Sequence, residues 1–128
     1  MFTHVMVGSK DPERSRSFYD KVLGALGIAP SKAEAGATRH FYGDFMKGGV
    51  FAVGTPREGD QTHANGGMIS FVAPSREAVD AFYNEALANG GTCEGPAGPR
   101  QGPVGEVYGA YIRDPDGNKL ASFSPPGR

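Results

Sequence analysis

Slid by 64 residues, half its length, the chain falls on itself. HVMVGSKDPERSRSFYDKVLGALG, from His4, lies over MISFVAPSREAVDAFYNEALANGG, from Met68, with Glu13 over Glu77, Phe18 over Phe82, Tyr19 over Tyr83, Leu23 over Leu87 and Gly27 over Gly91. A repeat of this kind is one supersecondary unit used twice, and it restricts the fold to architectures built from two equal modules.

Each copy reads as a short strand, a capped helix and a glycine stop. In the first, Asp11 is placed to cap and Pro12 to open a helix whose apolar stripe is Phe18, Val22, Leu23 and Leu26. In the second, Ser75 caps and Val79, Phe82, Tyr83, Ala86 and Leu87 form the stripe. Strand-like runs follow: TRHFYGD and GGVFAVG in the first half, EVYGAYIRD and KLASF in the second, with a weaker segment near Cys93. The last two flank DPDGN, where Asp114 can accept from the backbone, Pro115 pre-sets φ and Gly117 supplies a left-handed residue, so they form a hairpin.

The expected fold class is therefore α+β: two βαβββ modules, about residues 1–60 and 64–128, forming a curved sheet that bears a cleft. One helix covers only one face of such a unit, leaving the other for a second module, a partner chain or a ligand. By period-two alternation Val5, Val7, Ile69, Phe71 and Leu120 face the helices, whereas His4, Met6, Met68, Ser70, Ala121 and Phe123 face the cleft.

Bulk properties narrow the partners. At 128 residues the chain has the size of a single domain, and its 13 basic and 14 acidic residues nearly cancel, giving no electrostatic footprint for nucleic acid or an anionic membrane. A lone cysteine, Cys93, forms no internal disulfide and fits a reducing compartment, the cytoplasm by default. No leader pattern opens the sequence, and no apolar run approaches the roughly 18 residues of a membrane span.

The paired modules, the opening HVMV…D…S…FYDKVLG and the closing YGAYIRDPDGNKL resemble the vicinal oxygen chelate superfamily of glyoxalases, bleomycin-resistance proteins and extradiol dioxygenases. The resemblance spans nearly the whole chain. It implies a cleft, commonly a homodimer, and in the enzymes a divalent metal held from the first and last strands of both modules. Those four places fall here on His4, about Phe51, Met68 and Ala121. Only His4 is a good donor; Met68 is a thioether, and Ala121 stands where a ligand carboxylate is expected after DPDGN.

One donor of four does not hold a divalent ion, so the expectation is a cleft without metal or other cofactor that binds an organic small molecule, lined by Met6, Phe51, Met68, Ser70, Ala121 and Phe123. The rival is a metal-dependent lyase, isomerase or dioxygenase whose set is rebuilt near His4 by His40, His63 or Glu106. A metal-free enzyme in which His4 or Tyr108 moves a proton is the third reading. Tyr108 and Tyr111 lie on the strand beside the cleft without their faces being fixed, and Arg39 or Arg113 are candidates to hold an anionic group. Two aperiodic stretches, Gly95–Gly105 and Gly54–Gly67, are expected as mobile loops able to cover the cleft.

Overall fold

A computed structural model describes residues 1–31 and 36–127. Among these, β1 (His4–Gly8), α1 (Pro12–Gly24), β2 (Arg39–Tyr42) and β3 (Val50–Gly54) make one unit, and β4 (Ile69–Val72), α2 (Arg76–Ala88), β5 (Thr92–Gly102), β6 (Gly105–Arg113) and β7 (Lys119–Ser124) the other. The helices are 13 residues each and start at Pro12 and Arg76, reproducing the 64-residue offset. The strands form two open mixed sheets, ordered β1-β3-β2 and β4-β7-β6-β5. In each, the first strand runs parallel to the last, and the remaining pairs are antiparallel. The first unit has one strand fewer than expected among the described residues; a single bridge, Pro30 to Tyr42, lies beyond β2.

The caps form as the residues dictate: the Asp11 carboxylate accepts from Arg14 N at 3.2 Å and the Ser75 hydroxyl from Ala78 N at 3.1 Å. One apolar cluster spans both units, joining Phe18, Tyr19, Val22 and Leu23 of α1, Val79, Phe82 and Ala86 of α2, and Tyr42, Phe51, Val53, Ile112 and Leu120 from the sheets, with Val5, Val7, Ile69 and Phe71 packed against it. Leu87 departs from the expected stripe. It is 40% exposed, while its neighbour Ala86 in the same last turn is buried.

The stretch expected as the first mobile loop is mostly strand. Residues 95–102 belong to β5 and pair along β6, with register shifts between Cys93 and Gly95 and between Gly95 and Gly98. Pro96 and Pro99 are tolerated because β5 is the edge strand, where a missing N–H can face away from the ladder, and bulges absorb the irregular spacing. The second stretch does lack helix and strand between Thr55 and Met68.

DPDGN does more than turn. Asp114 Oδ1 accepts from Asp116 N and Asn118 N, both at 2.9 Å, and Oδ2 from Tyr19 Oη at 2.5 Å and Asn118 Nδ2 at 2.9 Å. Asp116 reaches the first module: its Oδ1 accepts from Arg14 Nη2 at 2.8 Å and Lys10 N at 3.1 Å, and its Oδ2 from Ser15 Oγ at 3.3 Å. Asn118 also donates to Gly8 O at 2.9 Å. The turn is thus a polar clasp that binds the C-terminal hairpin to the β1–α1 junction. All three of its polar side chains are buried, and each is hydrogen-bonded, as burial demands.

Candidate functional site

The two modules meet along a seam where Met6, Val7, Ala64, Gly67, Met68, Ile69, Asn118 and Lys119 line a cavity of about 190 Å³. Met6, rather than His4, shares this space with Met68. His4 sits on the exposed end of β1, with Nδ1 3.0 Å from Thr3 Oγ1 and its ring 6.4 Å from that of Phe45. It lines neither this cavity nor the larger one described below.

Phe51 does not face the cleft. Its parallel partner is Val5, and its ring packs against Tyr19, Tyr42 and Phe71 in the core. The expected position slips by one residue: Val50 opposite His4 and Ala52 opposite Met6 are the side chains on the other face, and neither is a donor. Ala121 stands opposite Ser70 and Tyr111 and is fully buried.

The residues considered for rebuilding a metal set disperse. Glu106 pairs with Arg76 on the surface at 3.1 Å, His63 lies against Gly117 of the clasp, and His40 is buried on the α1 side of β2, its ring nitrogens without hydrogen-bond partners. Among the described residues no three His, Cys, Asp or Glu side chains converge in a way that could hold a metal ion. Thioethers and methyls at the seam do not fit a hard or borderline divalent ion.

The larger cavity opens on the face of the second sheet turned away from α2. It measures about 420 Å³ and is lined by Ser70, Arg100, Gln101, Gly102, Pro103, Val107, Tyr111 and Phe123. Alternation along β6 produces its wall, since Ala110 and Ile112 enter the core while Tyr111 turns outward to meet Phe123, the ring centroids 5.4 Å apart in a T-shaped contact. The ring of Tyr111 also faces two cations, Arg100 with Cζ 5.3 Å and Lys119 with Nζ 5.3 Å from its centroid. The tip of the β5–β6 hairpin, the segment expected as a lid, forms one edge of this cavity.

Tyr108 has the opposite orientation. Its hydroxyl donates to Asp80 Oδ1 of α2 at 2.6 Å, and this bond, first among the causes, holds its pKa above the usual tyrosine value. It is turned from the cleft and has its proton committed to a carboxylate. Arg113 is also engaged: it donates to Gly117 O at 2.7 Å and pairs with Glu94, whose carboxyl it holds below the ordinary range. Arg39 lines a separate surface hollow with Arg57 and Thr55. Arg100, in contrast, was hidden from sequence reasoning within an apparent loop.

The profile of the Glyoxalase/Bleomycin resistance protein/Dioxygenase superfamily matches residues 1–121. The chain belongs to that superfamily. A crystal structure of a glyoxalase/bleomycin resistance protein from Albidiferax ferrireducens T118 is 49% identical, with a TM-score of 0.88 over 98% of this chain and 99% of that one. A glyoxalase-related enzyme from Fulvimarina pelagi, 21% identical with a TM-score of 0.75 over 98% and 88%, and TioX from Micromonospora sp. ML1, 17% identical with a TM-score of 0.64 over 97% and 98%, share the fold. No curated protein matches the chain. No helix among the described residues is long and apolar enough to cross a membrane.

Proposed function

We propose that this superfamily member binds an organic small molecule in the cavity walled by Val107, Tyr111 and Phe123, and acts through binding or sequestration rather than through a metal centre. The observation that carries this reading is the pairing of a ring-lined cavity of about 420 Å³ with a set of described residues in which no three His, Cys, Asp or Glu side chains converge to hold a metal ion. Pockets of roughly 300–1,000 Å³ with aromatic walls and few polar groups suit small organic ligands. The name of the Albidiferax relative spans both a catalytic and a resistance reading, and family membership alone does not choose between them.

Two measurements test it together. After soaking with zinc, manganese, nickel and ferrous iron under argon, followed by gel filtration, elemental analysis should find no retained metal. A thermal-shift screen of one- and two-ring compounds should find ligands whose effect is lost when Phe123 is replaced by Ala. Near-stoichiometric metal, or ligands indifferent to Phe123, would defeat the proposal.

A further inference from the structure

Among the described residues Arg100 is the only charged side chain lining the larger cavity, and no carboxylate accompanies it there. It forms no ion pair among the described residues. Instead its Nη1 donates to Gly98 O at 2.9 Å and Gly109 O at 2.5 Å, and its Nη2 to Pro96 O at 2.6 Å. Three carbonyls therefore fix the guanidinium plane over Tyr111 without neutralising its charge. A guanidinium has five N–H donors, so Nε–H and one Nη2–H remain unspent.

We propose that the ligand of this cleft is a ring-bearing organic monoanion, specifically an aromatic carboxylate, with its charged group on Arg100 and its ring against Tyr111 and Phe123. This rests on the cleft being the ligand site. Two spare donors match the two oxygens of a carboxylate, and one cation balances one negative charge; a phosphate dianion would leave charge and acceptors unpaired. The backbone clamp means that little side-chain freedom is lost on binding. Lys119, with Nζ 5.3 Å from the Tyr111 centroid, lines the seam cavity rather than this one, which leaves Arg100 as the cation facing the ligand. The volume agrees: a cavity of about 150 Å³ holds benzene, so about 420 Å³ admits one or two rings with substituents. Ser70 and Gln101, whose side chains have no partner among the described residues, can bond neutral substituents on such a ring.

The test pairs each acid with its own amide. Benzoates and naphthoates, each beside the corresponding carboxamide, are titrated by calorimetry into the intact protein and into Arg100→Gln. The carboxylates should bind the unaltered protein about tenfold more tightly than the amides, with a preference that shrinks as salt is raised. Arg100→Gln should abolish the preference, with the variant's circular dichroism spectrum and urea midpoint serving as the control for folding. Equal affinity for acid and amide, or a preference that survives in Arg100→Gln, would overturn the anion proposal while leaving the cleft reading intact. If no member of either series binds, both fall.

Discussion

Asp114→Ala should cost about 3–5 kcal/mol of stability, since each buried donor left without its acceptor costs about 1–3 kcal/mol. Four donors lose their acceptor at once: the Tyr19 hydroxyl, two backbone N–H groups and the Asn118 amide. Against a total of roughly 5–15 kcal/mol for a domain, that is a large fraction. Urea unfolding followed by circular dichroism measures it through the midpoint at unchanged slope. A loss below about 1 kcal/mol, the size of one ordinary hydrogen bond, would show that the clasp is not a structural joint.

The same residue sets a pH dependence. Burial is the largest cause acting on Asp114 and raises its pKa above the ordinary carboxylate value, the hydrogen bonds opposing it. A carboxyl with a raised folded-state pKa binds more protons folded than unfolded between the two values. Its contribution to stability is therefore full below the unfolded pKa and falls as pH rises through the folded one. The stability difference between the unaltered protein and Asp114→Asn should accordingly shift in favour of the former as pH is lowered from neutral toward 4. A difference that is flat with pH, or that moves the other way, would mean that the hydrogen bonds outweigh burial.

Gly109→Ala should both weaken the fold and damage the cleft. A Cβ at this position would collide with Cδ1 and Cε1 of Phe123 and lie 2.7 Å from Cζ, far inside contact distance. The phenyl ring lies directly on the glycine and must swing away. That removes its edge-on contact with Tyr111 and drives it into the space meant for ligand. Overpacking of this kind costs about 1–3 kcal/mol, and ligand affinity should fall about tenfold or more. The prediction fails if the variant keeps both its unfolding midpoint and its affinity for a cleft ligand.

What the residues announced was local or periodic. Asp11 and Ser75 cap their helices because a short side chain beside the first turn needs no distant help, and Val5, Val7, Ile69 and Phe71 pack inward because strand period fixes alternate sides. What they concealed depends on partners far along the chain. GPAGPRQG looks like a loop; only the ladder supplied by β6, with the bulges, makes it a strand, and so Arg100 went unnoticed. Phe51 was misplaced by one residue because the apolar run VFAVG has no alternation from which to read a face. Tyr108 and Tyr111, three residues apart on one strand, take opposite faces, and the choice is set by Ala110 and Ile112 entering the core.

The clasp also has a consequence in time. Its bonds between the C-terminal turn and the first module join residues 95 to 110 positions apart, from Tyr19–Asp114 to Gly8–Asn118. Closing segments of that length costs chain entropy before any contact rewards it. As the chain leaves the ribosome, α1 must wait until the segment carrying Asp114 and Asp116, 95 or more positions later, has been made. Two similar halves have thus surrendered their independence: the earlier one reaches its final form only when the later one is complete.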